Sequence, residues 1–221
     1  MSEIAIVPAD RRGIDRAVAA LAEGRLVLHP TETVVSLSGD PASPVAVERA
    51  RRIKGYETPR PFLCLVTDVE AARELARCWS RAAELLTGRF WPGPLTIVVP
   101  VAAGVLPDVA EGGRLALRAV ADPVSRRLVK AWGRAVFSTS ANRRGEDPAV
   151  RVGEAVRRLA DVRGAEAVDL ALEADPAQAA GEAPPTDLPS TIVDVSGDVP
   201  RLVRTGALSV ERLREAVPDF P

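Results

Sequence analysis

Only two of the 29 basic residues in this 221-residue chain are lysines, Lys54 and Lys130. A chain that otherwise uses arginine for surface charge keeps lysine where a compact ammonium on a flexible stem suits the contact, as with phosphate or carboxylate oxygens. Lys130 lies in Ser125-Arg126-Arg127-Leu128-Val129-Lys130-Ala131-Trp132 and reads as an ordinary position on an amphipathic helix, which leaves Lys54 as the candidate. Hydroxyl and amide side chains cluster in three stretches, each read as a loop at a strand end: His29-Pro30-Thr31-Glu32-Thr33, Phe137-Ser138-Thr139-Ser140-Ala141-Asn142 and Pro189-Ser190-Thr191-Ile192. Such loops hold phosphate oxygens or the polar atoms of an amino acid without supplying a nucleophile. Taken singly, each reads more readily as a capped turn. His29 is the only histidine, which argues against a serine-histidine relay. Neither a Gly-x-x-x-x-Gly-Lys-Ser/Thr loop nor a Gly-x-Gly-x-x-Gly fingerprint occurs, so a nucleotide would be held some other way.

The net charge of -1 offers nucleic acid no global attraction. Its distribution is uneven. Arg49 to Arg144 holds 17 basic against 8 acidic residues, and Glu146 to Asp198 holds 4 against 12. The central half could face an anionic ligand, or it could be a solvated surface of uneven sign. Aromatic residues make up only 4%, few for stacking single-stranded RNA. Cys64 and Cys78 suit two buried thiols rather than a disulfide or metal site. No apolar run reaches the roughly 18 residues that span a bilayer, and Met1-Ser2-Glu3 begins no export signal, so a soluble cytoplasmic protein is expected.

The elements that must position these residues alternate between strand and helix. Strands are expected at Ile4 to Val7, Leu26 to Leu28, Phe62 to Val66, Leu95 to Val99, Leu115 to Val120 and Ala135 to Phe137, then at Thr191 to Val195 and Arg201 to Val203. Between them, apolar residues at helical spacing mark helices around Ile14 to Leu21, Pro44 to Ile53, Val69 to Arg77, Ser80 to Gly88, Pro123 to Trp132, Val152 to Leu159 and Val210 to Val217. Ala167 to Leu172 fits either type. Residues 173–188, rich in Ala, Pro, Asp and Glu, read as a mobile acidic loop. The alternation predicts one α/β domain over residues 1–221, a twisted open mixed sheet with helices on both sides.

Seven blocks, covering about residues 10 to 208, then resemble a known family in order. They are Gly24-Arg25-Leu26-Val27-Leu28-His29-Pro30-Thr31-Glu32-Thr33-Val34, Ile53-Lys54-Gly55, Phe90-Trp91-Pro92-Gly93-Pro94-Leu95-Thr96, Leu117-Arg118, Ser138-Thr139-Ser140-Ala141-Asn142, Ser190-Thr191-Ile192-Val193-Asp194 and Val203-Arg204-Thr205-Gly206-Ala207. Together they resemble the YrdC-like threonylcarbamoyl-AMP synthases, and Phe-Trp-Pro-Gly-Pro-Leu-Thr is close to diagnostic. The resemblance implies a YrdC-like fold with a concave, positively charged cavity. In it L-threonine, bicarbonate and ATP with Mg2+ meet, the amine is carboxylated, and the carbamate displaces pyrophosphate from the α-phosphorus. The adenylate then passes to transferase proteins that modify adenosine 37 of tRNA, and tRNA or double-stranded RNA is a further implied partner.

The matching positions imply roles as well. Lys54 would neutralise phosphate or carbamate charge and is the implied catalytic residue. Thr31, Thr33, Arg118 and Ser138 would take threonine and bicarbonate; Ser140, Asn142, Ser190 and Arg204 would take the nucleotide. No protein-bound metal is implied. Two departures stand out. The family's Thr-Val-Tyr-Gly-Leu-Gly is Thr33-Val34-Val35-Ser36-Leu37-Ser38 here, and the second cation of its Lys-x-Arg pair is Tyr56, with Arg60, Arg51 and Arg52 the nearest replacements. A relative that binds ATP or RNA without making the adenylate, or that carbamoylates another acceptor, is the alternative reading. Ending at Pro221, the chain is expected to resemble the short, single-domain members.

Overall fold

In a computed structural model, which describes residues 4–58, 60–162, 168–174 and 186–221, ten strands hydrogen-bond into one mixed sheet. They are β1 (Ala5–Pro8), β2 (Val27–His29), β3 (Ser36–Gly39), β4 (Leu63–Leu65), β5 (Leu95–Pro100), β6 (Arg114–Arg118), β7 (Val136–Ser140), β8 (Leu170–Glu173), β9 (Thr191–Asp194) and β10 (Arg201–Arg204). Their spatial order is β1-β8-β2-β3-β7-β4-β6-β5-β9-β10. Strand β8 runs parallel to β1 and β2, β4 to β6, and β5 to β9, and the other pairs are antiparallel. The mixed α/β sheet expected from the alternation is therefore present.

Seven helices join the strands among the described residues: α1 (Arg11–Ala22), α2 (Pro44–Lys54), α3 (Val69–Leu75), α4 (Arg81–Phe90), α5 (Pro123–Trp132), α6 (Val152–Arg158) and α7 (Val210–Ala216). Six begin where a short polar side chain accepts a hydrogen bond from an otherwise unpaired first-turn amide. Asp10 caps α1, Ser43 α2, Asp68 α3, Ser80 α4, Asp122 α5 and Ser209 α7. Pro44 and Pro123 open α2 and α5, where a missing N–H costs nothing. Gly55 ends α2 at φ 66°, a left-handed conformation glycine adopts without penalty.

Period-two alternation then sorts side chains between two apolar layers. Leu26, Leu28, Leu37, Cys64, Phe137 and Leu117 face one layer, with α2, α4, α6 and α7. Val27, Leu65, Val136, Leu170 and Leu172 face the other, where they meet α1 and α5.

Several expectations need correction. The strand expected to end at Phe137 continues to Ser140, so Ser138 and Ser140 lie in β7 rather than in a loop. Strand β3 falls where no strand is expected, because Ser-Leu-Ser-Gly has little intrinsic strand preference and is held by pairing with β2 and β7 on either side. The ambiguous run up to Leu172 contributes β8, inserted between β1 and β2. Most of the expected acidic loop, residues 175–185, lies outside the described residues. Of the two cysteines only Cys64 is buried, and burial pushes its thiol pKa up, whereas Cys78 is exposed. Among the described residues no helix is long and apolar enough to cross a membrane.

Candidate functional site

Helices α1 and α5 pack on each other and over the β8–β2 end of their sheet face. The rest of that face is left open, and there the side chains of alternate residues line a cavity of about 430 Å³. Ser36, Leu63, Val98, Ala116, Ser138 and Ile192, one from each of six strands, contribute to it. Its volume suits a small ligand.

Arg118, the last residue of β6, is almost wholly buried at the cavity wall. Its Nε donates to the Gly93 carbonyl at 3.1 Å and its Nη1 to Thr33 Oγ1 at 3.2 Å. Nη2 forms a close ion pair with Glu32 Oε1 at 2.8 Å. These contacts engage three of the five N–H donors of the guanidinium and leave the others over. Burial alone would raise the Glu32 carboxyl, but the Arg118 charge and the Ala121 amide hold it below its ordinary pKa. The Trp91-Pro92-Gly93 turn itself is tied down by Trp91 Nε1 donating to Leu95 O and by the Gly93 amide donating to Ala119 O. One structural task of the Phe-Trp-Pro-Gly-Pro-Leu-Thr run is therefore to aim Arg118. Thr31 Oγ1 donates to Val34 O at 2.7 Å and lies 2.9 Å from Thr33 Oγ1, so both threonines are fixed at the cavity wall.

Lys54, the last residue of α2, is buried. Its ammonium donates toward Asn142 O (2.6 Å), Asn142 Oδ1 (2.7 Å), Ser140 O (2.9 Å) and Ser140 Oγ (3.2 Å). Three protons shared among four acceptors leave none directed elsewhere. Lys54 and Asn142 accordingly stand behind the cavity wall, while Ser140 is part of it. Burial first of all lowers the Lys54 pKa to about 8, against the opposing charge of Glu146.

Ser190 and Arg204 meet on the opposite side. Arg204 Nη2 donates to Ser190 O at 2.8 Å and reaches Ser190 Oγ at 3.2 Å, and Ser190 Oγ pairs with Thr96 Oγ1 at 2.8 Å. Burial and the nearby positive charge of Arg118 both lower the Arg204 pKa. At the rim, Arg114 and Arg201 converge on Asp194 Oδ2 at 3.3 and 3.1 Å. Against burial, the bonds from Ser196 together with these cations keep the Asp194 carboxyl below its usual range.

The structure thus gathers seven of the nine residues singled out at one cavity, and Lys54 and Asn142 directly behind it. Sequence reasoning missed Arg114, Asp194 and Arg201. They are nonetheless legible afterwards, as alternate residues of β6, β9 and β10 on the face of Ala116 and Ile192. Tyr56 lines the cavity with its ring 6.2 Å from that of Phe62, and the Arg60 guanidinium lies 5.4 Å over it. Arg51 donates to Asp108 O and Arg52 pairs with Glu48, so neither fills the place of the absent cation.

The chain is similar in sequence and fold to several known proteins. A family model for Sua5, YciO and YrdC proteins, described as telomere recombination, matches residues 19–206. A Mycobacterium tuberculosis protein provisionally named threonylcarbamoyl-AMP synthase is 34% identical over 208 residues, covering 93% of this chain and 89% of that protein. Pyrococcus abyssi Sua5, in its crystal structure complexed with L-threonine, superposes with a TM-score of 0.84 at 26% identity, over 98% of this chain and 60% of that one. Escherichia coli YciO shares the fold, with a TM-score of 0.79 at 22% identity over 96% of this chain and all of its own. With the family model spanning most of its length, this chain belongs to the Sua5/YciO/YrdC family.

Proposed function

We propose that this chain is a threonylcarbamoyl-AMP synthase that assembles L-threonine, bicarbonate and ATP in the cavity of the open sheet face. Arg118 carries the reading. A buried guanidinium at the cavity wall, with N–H donors left over after Gly93, Thr33 and Glu32, is built for a small carboxylate, which would complete its hydrogen bonds. The threonine amine then attacks bicarbonate and water leaves. A carbamate oxygen forms the new bond to the α-phosphorus as the bond to pyrophosphate breaks. Thr31, Thr33, Arg118 and Ser138 serve the amino acid and bicarbonate; Ser140, Ser190 and Arg204 serve the nucleotide, with Asn142 acting from behind the wall by holding Ser140 and Lys54.

Three anions repel one another in such a hollow, and fixed cations offset that repulsion. Arg114, Arg118, Arg201 and Arg204 in the lining, against Glu111 and Asp194, support this. Lys54 supplies its charge through the turn it holds. Mg2+ would arrive on the phosphates of ATP. The adenylate product would be passed to the proteins that modify adenosine 37 of tRNA. These relations to bicarbonate, Mg2+ and tRNA rest on the family and on the chemistry of the cavity.

The test is pyrophosphate release. It should require ATP, bicarbonate and L-threonine together, and the adenylate should be recovered as product. Release that persists without threonine, or ATP binding without turnover under any amino acid, would favour the non-synthase relative instead.

Gly206 supplies a separate check on the nucleotide side. A Cβ there would stand 2.1 Å from Pro189 O and 2.6 Å from the Ser190 carbonyl carbon, backbone that cannot yield locally. Gly206→Ala should shift the Ser190–Arg204 pair, weaken ATP binding about tenfold and cost about 1–3 kcal/mol of stability. Isothermal titration with ATP and a urea melt measure both.

A further inference from the structure

His29 lies at the end of β2, fully buried and outside every role assigned above. It belongs to a continuous chain of hydrogen bonds that starts at the cavity. Ser138 Oγ lies 2.5 Å from Ser36 Oγ, Ser36 Oγ 2.9 Å from Ser38 Oγ, and Ser38 Oγ 2.8 Å from His29 Nε2. On the far side His29 Nδ1 lies 2.7 Å from Ser125 Oγ and 3.1 Å from Pro30 O, and Ser125 Oγ donates to that same carbonyl. Ser36 and Ser138 line the cavity, and Ser38 and His29, both buried, lead from them to Ser125 in the first turn of α5. The geometry follows from strand period, because His29, Ser36, Ser38 and Ser138 sit on one face of the adjacent strands β2, β3 and β7. Serines 36 and 38 stand where the resembled motif carries glycine.

A carbonyl oxygen can only accept, and this fixes the direction of the bonds at Nδ1. Ser125 gives its one proton to Pro30 O, so it can only accept from Nδ1, and Nδ1 must carry hydrogen. The second contact of Nδ1, with Pro30 O, demands the same. Burial lowers the His29 pKa to about 4, more than the bond to Pro30 raises it, so the ring is neutral near pH 7 and Nε2 is bare. Ser38 must then donate to Nε2, Ser36 to Ser38, and Ser138 to Ser36. The Ser138 proton is turned away from the cavity and its lone pairs face it.

We propose that His29, Ser38 and Ser36 are positioning residues that hold Ser138 as an acceptor, so that the cavity selects a ligand bearing an N–H donor at Ser138 and a carboxylate at Arg118. Strand β4 separates the strands bearing these two groups. An α-amino acid presents such a pair, an amine and a carboxylate on one carbon. Identification of that amino acid as threonine rests on the function proposed above; the polarity of the chain does not. The low basicity of His29 also means that the path orients a proton rather than draining one from the cavity.

Because His29 is the only histidine, nitrogen-15 NMR of histidine-labelled protein reads its tautomer without ambiguity. Protonated Nδ1 and bare Nε2 are expected from about pH 5 to about pH 9. Protonated Nε2, in a neutral ring or an imidazolium at neutral pH, would overturn the proposal. In Ser36→Ala the Ser138 hydroxyl is released, and the Kd for L-threonine should rise about five- to tenfold while that for ATP changes by less than about twofold. Ser38→Ala, one step further in, should act in the same direction. An unchanged threonine Kd, or equal losses for both ligands, also counts against the proposal. Unaltered protein that binds no threonine would refute the synthase reading, and the tautomer of His29 would still decide whether the hydroxyls point as proposed.

Discussion

Lys54→Ala should reduce pyrophosphate release at least about a hundredfold and lower stability by about 2–4 kcal/mol. The loss arises behind the cavity wall. Without the ammonium, Asn142 O and Ser140 O lose the donor that faces them, and the Ser140 to Asn142 turn loses the clamp that joins it to α2. Lys54→Arg should recover little, because a planar guanidinium cannot place its donors on acceptors that converge around one nitrogen. The lowered pKa gives a sign to the pH profile. The charged form is the one that clamps, and it is lost as the pH rises through about 8. Activity of the unaltered protein should therefore fall on the alkaline side with a midpoint near that value. A urea melt and a pH series of the release assay check both effects. Full activity in Lys54→Ala would show that the turn holds itself.

Arg118→Ala should raise the L-threonine Kd about a hundredfold, the scale of a buried charge-assisted contact to a carboxylate. It should also change how stability depends on pH. In the unaltered protein Glu32 is held below its ordinary pKa, so its contribution is present above an unfolded value of 4.5 and is lost as pH falls through the folded value. Removing Arg118 takes away the largest opposing influence on Glu32, and burial then acts with less restraint to raise the carboxyl. The variant should consequently lose stability as the pH rises through that raised folded value, the reverse trend. Thermal melts at about pH 4.5 and about pH 8, compared between the two proteins, read the sign directly. Unaltered threonine binding in this variant would remove the observation on which the proposed function stands.

Local rules suffice for much of the fold. Asp10, Ser43, Ser80 and Asp122 announce helix starts, and the runs around Leu95 and Leu115 announce strands, because caps and period-two alternation act over a few neighbouring residues. Where local preference is weak, such rules fail. Ser36–Gly39 is strand only because β2 and β7 flank it, and Ser138 and Ser140 extend β7 because β3 pairs with both and β4 with Ser138. The candidate site divides in the same way. Thr31, Thr33, Ser140 and Arg118 are recognisable as residue types in a familiar order, whereas Gly93, Glu32 and Ser36 enter through contacts that cross the sequence.

By itself, then, the amino-acid sequence determined the element types, the family motifs and the small set of hydroxyl, amide and cationic side chains available for chemistry. The tertiary structure alone decided that Lys54 grips the Ser140 turn, that Gly93 and Glu32 aim Arg118, and that a single imidazole lies in line with three serine hydroxyls. The reason is one of distance. Alternation says which side chains share a face, but which strands become neighbours is settled by pairings such as β3 with β7 and β4 with β6, joined across stretches of chain far longer than any local signal reaches.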